Sequence, residues 1–484
     1  MRLFSAKYAV AQHIGVAFLL ILLSQLLNAH HTIMYQDASG YVILAAKFIT
    51  NGGKFTDHSG PLVFSLLNFD DSMRGYLFPL MLLPLLVVKT ITHIPLTALT
   101  KLFGSAWAAV LIGGLLPVVW QRLTRRADAI PWVGFIAFVL AFLLFWGVNV
   151  TFTLTDIPAL TLVIGGFLSL EKKRFGWWLV AGLCLAAATN FRPVYVIMLP
   201  IAAGLVAWLA WRMPQWSKVL PLAGLVLGLS LVLLPQAYIN YYRFDKTTPF
   251  VLGLREKHLT DVRQLDNLYI WHLNAGLICQ KYGPVLVEAI PNKVQYIPDN
   301  TGLAMLAARQ KQPLTSAGVY LKYGVVHPID FAGIQLKHMF NMLDIDYPSA
   351  YILKIAPPAA WYCWLNYSLL YLGVVALARL PLPGNAVLVS LLLALAAAVA
   401  ICVPIVPETR FALPLHLLLL LAATLGIRPQ DAWRQWHLSA KRYQHAVVVV
   451  TCYVIWLSAA FAMHSSRHTI ARWLSPEASE QTFL

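Results

Sequence analysis

Asp37 follows the first long apolar stretch of the chain, and Asp156 stands between two later ones. Ionisable side chains at the mouths of membrane helices are costly and mark functional positions. Two carboxylates on one face point to chemistry at the membrane–water boundary, where a carboxylate can take a proton from a hydroxyl, and not to a conduit through the bilayer centre. Their surroundings leave a plainer alternative. In Thr153-Leu154-Thr155-Asp156-Ile157-Pro158 the proline suits the first turn of a helix. Thr155 or Asp156 can cap that helix, and the turn alone weighs the cap and the functional role equally. Asp37, in Tyr35-Gln36-Asp37-Ala38-Ser39-Gly40-Tyr41, can likewise cap the amphipathic stretch that runs to Ile49. Further on, Asn68-Phe69-Asp70-Asp71-Ser72-Met73-Arg74-Gly75-Tyr76 forms a charged turn. A solvated role is favoured there for Asp70.

The elements that must position these residues are membrane helices. The 484-residue chain is 59% hydrophobic and only 12% charged, with a mean hydropathy of +0.68. Soluble domains carry roughly a quarter charged residues, so the composition is that of a polytopic membrane protein. The net charge of +16 comes from short loops between apolar stretches. That pattern sets topology and attracts anionic headgroups, and nucleic acid is not an expected partner. Sixteen Trp and 20 Tyr suit interfacial belts.

Spans are expected at about 8–27, 102–120, 130–149, 157–170, 176–190, 194–211, 218–239, 361–379, 385–403, 411–427 and 445–463. A twelfth apolar stretch, 76–93, is broken by Pro79 and Pro84 and flanked by Arg74 and Lys89. Basic residues decide its place. With 76–93 lying in the interface, Arg122, Arg125, Arg126, Lys172, Lys173, Arg174, Arg212, Lys218, Arg428, Arg434, Lys441 and Arg442 all join Arg2 and Lys7 in the cytoplasm. About eleven transmembrane helices result, in an all-α polytopic fold. Expected on the outer face are the first loop (28–101), the turns at Asp156, at Asn190-Phe191-Arg192-Pro193 and at 404–410, and a loop from 240 to 360. By chain order this gives a transmembrane module at 1–240, an extracytoplasmic subdomain at 241–360 (helical or mixed), C-terminal transmembrane helices at 361–463 and a polar tail at 464–484. The N-terminus reads as an uncleaved first helix, since Leu27-Asn28-Ala29 is a poor cleavage site. No internal repeat is visible.

The remaining chemistry-bearing residues carry less. Cys184, Cys402 and Cys452 fall in apolar spans, while Cys279 and Cys363 flank the large loop and can pair if it is oxidising. His30, His31, His272 and His327 lack metal-ligand spacing. Trp271, Trp361 and Trp364 suit belt or core roles better than sugar stacking.

Taken in order, an acidic residue just past the first span, interfacial helices, a basic residue before the second span and a Thr-Asp-x-Pro turn after the third resemble the GT-C superfamily. These are membrane glycosyltransferases that use polyprenyl-phosphate sugars, among them the aminoarabinose transferases and the protein O-mannosyltransferases. Asn190-Phe191-Arg192-Pro193, and Glu408-Thr409-Arg410-Phe411-Ala412-Leu413-Pro414 near the end, are similar to motifs of that group. The resemblance covers about 1–240 well and the C-terminal spans loosely. It departs at Ala38, where relatives commonly have Glu after Asp, which puts a metal requirement in doubt; a divalent metal is compatible with the sequence but not required by it. At 192 an Arg stands for the usual Lys.

The resemblance implies a GT-C-like fold and transfer of a sugar from a polyprenyl-phosphate donor to a hydroxyl of a cell-envelope glycan or lipid-linked glycan. It implies Asp37 as base, Asp156 as an orienting group, Arg74, Arg192 and Arg410 on the donor phosphate, and Asp71, Tyr76 and Glu408 in support. Inversion at the anomeric carbon is the family expectation, with the site on the periplasmic face of a bacterial inner membrane. The competing reading is a transporter or flippase of a lipid-linked saccharide. It calls for polar residues near the bilayer midplane, which the spans largely lack apart from His13 and Gln25.

Overall fold

The computed structural model describes residues 2–27, 36–49, 64–125, 130–172, 174–214, 217–259, 262–284, 294–309, 313–348, 351–352, 359–381, 384–426, 442–470 and 472–474. His30, His31, Tyr35 and the Asn28-Ala29 site lie outside them, as do Arg126, Lys173, Arg428, Arg434, Lys441 and most of the tail.

Among the described residues, eight helices are long and apolar enough to cross a membrane: Ala9–Leu27, Leu96–Thr124, Trp132–Val150, Pro193–Trp211, Val219–Phe244, Ala360–Ala378, Thr409–Gly426 and Val447–Ser466. The chain is therefore a helical integral membrane protein. Three other expected spans are the shorter apolar helices Asp156–Leu170, Phe175–Phe191 and Ala386–Ala400. At 1.5 Å per residue they reach roughly 22–26 Å, less than the ~30 Å hydrocarbon core. The stretch assigned to the interface forms the 16-residue helix Leu77–Thr92, with Pro84 inside it.

The chain divides into two compact units that are interleaved along the sequence. Unit 1 comprises Met1–Leu115, Val148–Leu268 and Pro383–Ala398; unit 2 comprises Leu116–Gly147, Tyr269–Leu382 and Val399–Leu484.

In unit 1, α1 is Arg2–Leu27, α2 Gln36–Lys47, α3 Leu77–Thr92 and α4 Leu96–Ala109. They are followed by α5 (Asp156–Leu170), α6 (Phe175–Phe191), α7 (Met198–Trp211) and α8 (Val219–Phe244). Two antiparallel strands, β1 (Leu254–Leu259) and β2 (Val262–Asn267), come after α8. The pairing of α6 with α8 sets much of the site's geometry. A Cβ on Gly182 would overlap the Leu225 carbonyl, and one on Gly228 would overlap that of Leu179. Glycine lets these two backbones touch, the usual device for association in lipid. Gly182 meets Gly228 and Asn190 meets Gln236, the same offset of 46 residues, so the helices run parallel. The ends of α6 and α8 that carry Asn190 and Gln236 thus come out together.

Unit 2 holds α9 (Leu268–Ile278), α10 (Pro328–Leu343), α11 (Ala360–Ala378), α12 (Leu413–Gly426) and α13 (Arg442–Ile470). It also holds a three-stranded antiparallel sheet of β3 (Cys279–Pro284), β4 (Val294–Pro298) and β5 (Arg472–Leu474), with β4 central. Shorter helices Asn300–Ala308 and Ala317–Val326 lie in the same unit. In this unit α11 and α13 run antiparallel: Trp456 Nε1 donates to the Tyr367 carbonyl, and Ser368 Oγ lies 2.8 Å from Tyr453 Oη. Cys279 and Cys363 are free thiols rather than a disulfide. Burial pushes the Cys279 thiol up to about 12, which leaves it inert.

Candidate functional site

The unit 1 site begins with the chain before α3. Asp71 Oδ1 accepts from the backbone N–H groups of Met73 and Arg74 at 2.7 and 2.9 Å, closing an Asx-type turn. The next residue, Gly75, lies so close to the end of α6 that a Cβ there would overlap the Asn190 carbonyl. Asn190 Oδ1 accepts from Leu77 N, and Asn190 Nδ2 donates to Gln236 Oε1, both at 2.9 Å. Gln236 Nε2 donates to Asn240 Oδ1, whose amide donates to the Thr248 and Phe250 carbonyls. This buried amide ladder ties the ends of α6 and α8 to the turn that carries Arg74. A satisfied buried polar network is rigid because each broken link would strand a desolvated group.

Arg74 lies across α2. Its Nη2 donates to Asp37 Oδ1 at 2.7 Å and its Nη1 to Asp71 Oδ2 at 2.8 Å. Its Cζ sits 5.5 Å from the centre of the Tyr41 ring. Burial opposes the guanidinium charge, but Asp37 and Asp71 outweigh it and hold Arg74 above its ordinary value. Asp37, in the first turn of α2, has 34% of its side chain exposed. Helix polarity favours an anion there. The helix is held by a cluster of Leu44, Phe48, Phe69, Tyr76 and Ile239.

Asp156 opens α5, in which thirteen of fifteen residues are buried. Thr155 takes the N-cap position but makes no side-chain cap bond. The capping reading of this turn therefore gives way to another: Asp156 forms a buried ion pair with Arg192, the residue that ends α6. Tyr41 joins the two ion-pair groups. Its hydroxyl feels the charges of Asp37, Arg74 and Arg192. Burial first, then the Asp37 carboxylate, push that hydroxyl above its ordinary value.

Unit 1 therefore brings together Asp37, Asp71, Arg74, Asp156 and Arg192. Tyr76 acts as an anchor: its hydroxyl donates to the Val232 carbonyl, and burial pushes it up to about 12. Asp70 pairs with Lys47 at the surface, as a solvated turn would. Arg410 and Glu408 belong to unit 2, where Arg410 Nε donates to Glu408 Oε2 at 2.6 Å at the start of α12. All three arginines expected on a phosphate are thus already paired with carboxylates. Of the tryptophans, Trp361 and Trp364 are exposed on the apolar helix α11, as belt residues are.

Sequence reasoning missed Tyr41, Gln236, Asn240 and the buried Lys101, whose ammonium donates to the Gln25 carbonyl at 3.0 Å. Polar residues late in an apolar span were the available signal for Gln236 and Asn240. Comparison with family models, curated proteins and solved structures finds no match to this chain.

Proposed function

We propose that the protein is a GT-C-like glycosyltransferase that moves a sugar from a polyprenyl-phosphate donor to a hydroxyl of an envelope or lipid-linked glycan. One observation carries this reading: a half-exposed carboxylate, Asp37, sits 2.7 Å from the Arg74 guanidinium, beside Tyr41, whose hydroxyl also feels the charge of Arg192, the partner of Asp156. A base and two cations in one place are what transfer from a phosphate ester requires.

In the reaction the acceptor oxygen attacks the anomeric carbon while its proton passes to the Asp37 carboxylate. The bond from that carbon to the phosphate oxygen breaks, and the electron pair leaves with the polyprenyl phosphate. Arg74 and Arg192 offer N–H donors to the charge that grows on the leaving group. Asp156 holds the Arg192 fork in position, and Asp71 holds that of Arg74. A single displacement inverts the anomeric configuration. The site faces the periplasm of a bacterial inner membrane in this reading, because that orientation leaves the basic loops in the cytoplasm.

The test uses purified full-length protein in lipid with a panel of labelled polyprenyl-phosphate sugars. Wild-type protein should release polyprenyl phosphate from one donor, and Asp37→Asn should not. Equal release by both removes Asp37 as base. Movement of an intact lipid-linked saccharide across the bilayer, without release from any donor, replaces the enzyme with the flippase.

A further inference from the structure

Unit 2 contains a second group of buried charges that the proposed reaction does not use. Lys281, on β3, donates from Nζ to Asp346 Oδ2 and to the Asp344 carbonyl, both at 2.8 Å. Asp344 Oδ1 accepts from Tyr367 Oη at 2.8 Å. The other oxygens of the two carboxylates converge on one imidazole nitrogen: His464 Nδ1 lies 3.1 Å from Asp344 Oδ2 and 3.7 Å from Asp346 Oδ1. One donor atom from each residue lies within 4.8 Å of the others.

The 3.1 Å separation is that of two ligands on one ion, and the 3.7 Å one is slightly wider. Oxygen and nitrogen ligands at 2.0–2.2 Å from a divalent metal, 90–110° apart, are separated by about 2.8–3.6 Å. Each ligand is also held from behind in the way that tunes metal sites. Tyr367 holds Asp344, Lys281 holds Asp346, and His464 Nε2 faces Cys363 Sγ at 3.7 Å. With the ring proton on Nε2 toward that sulfur, Nδ1 presents its lone pair to the carboxylates.

An independent feature points to a ligand at the same place. Asp346 also lines an open pocket, together with Lys281, Gln295, Glu408 and Arg410. Gln295 is 2% exposed, and its Oε1 has no hydrogen-bond partner among the described residues. A buried acceptor left unsatisfied is costly, and it calls for a donor such as metal-bound water or a ligand hydroxyl.

We propose that Asp344, Asp346 and His464 bind one divalent transition-metal cation at the wall of this pocket. Two carboxylate oxygens and one imidazole nitrogen suit manganese or zinc, with further coordination positions taken by water or by oxygens of a ligand in the pocket. The site involves neither Asp37 nor Arg74, so it stands or falls apart from the sugar-transfer reading.

Manganese added to full-length protein in nanodiscs of zwitterionic lipid tests it. The expected result is one Mn²⁺ per chain, with nitrogen modulation from a single imidazole in the electron spin echo. His464→Gln, checked for folding by size-exclusion chromatography, should lose that modulation and weaken binding at least tenfold. Zn²⁺ should displace the manganese with the same stoichiometry. Failure of wild-type protein to bind manganese, or bound manganese without nitrogen modulation, overturns the proposal. So does nitrogen modulation that persists in His464→Gln. If His464→Gln does not fold, the wild-type stoichiometry and spin echo decide alone.

Discussion

Each unit gathers charge near helix ends, but the two use different cations at different depths. In unit 1 the planar forks of Arg74 and Arg192 grip three carboxylates, and Asp37 keeps 34% of its side chain exposed. In unit 2 the Lys281 ammonium pairs with Asp346, and His464 Nδ1 faces Asp344 and Asp346, whose side chains are 0% and 2% exposed. A guanidinium spreads its charge over five donors and can exchange one partner while it keeps another. An incoming phosphate can compete with Asp37 for Arg74 Nη2 while Asp71 retains Nη1. The ammonium of Lys281 sits too deep for such exchange. Reactivity is thus expected at the wetter cluster, and stability or ion binding at the drier one.

The sharpest break between them comes from carboxylate substitution. Asp37→Asn should lower sugar transfer by about 10²–10⁴-fold, the range for loss of a general base. Its thermal unfolding should barely move, since an asparagine oxygen still accepts from Arg74; a large drop in unfolding temperature would place Asp37 with the structural cluster. Lys281→Met should do the opposite and cost about 3–5 kcal/mol of stability, because it leaves buried carboxylates without their ammonium. Restoration of most of that loss in Lys281→Met/Asp346→Leu, read by thermal melting, would show the pair to be structural. Full stability of the single variant would contradict the contrast.

Smaller effects refine the picture. Gly182→Ala should cost about 1–3 kcal/mol by forcing α6 away from α8. It should also lower transfer activity, since the amide ladder from Asn190 to Asn240 positions Arg74. Activity unchanged in a destabilised Gly182→Ala protein would detach the ladder from the site. The least effect concerns acid. His338, in unit 2, is held below its ordinary value of 6.5 by burial, against the opposing pull of the Val403 carbonyl and Asp299. The folded state then binds fewer protons than the unfolded chain. Its stability is present above about pH 6.5 and falls below it, by up to about 1.4 kcal/mol per pH unit from this group. Melting curves from pH 7.5 to 5 should show that slope, and His338→Gln should flatten it.

Much of the first cluster was legible in the sequence because its parts stand at the ends of apolar runs. Asp37 opens α2, Asp156 opens α5 and Arg192 ends α6, so hydropathy alone marks them as boundary residues. Their pairing was not legible. Thr153 to Pro158 reads equally well as a helix cap, and only the Arg192 contact separates the two. Tyr41 looks like one more aromatic residue on an amphipathic face. The second cluster left no local mark: Lys281, Asp346 and His464 are separated by 65 and 118 residues, and none sits in a recognisable motif.

Sequence by itself determined that this is a membrane protein, roughly where its apolar helices lie, and which charges stand near their mouths. Those properties follow from the cost of polar groups in hydrocarbon, which each segment meets on its own. Tertiary structure decided which of those charges meet. Contact depends on close backbone approach at Gly182 and Gly228, on the turn docked at Gly75, and on strands and helices far apart in the chain. Such contacts are set by packing between segments, to which no single stretch of sequence commits.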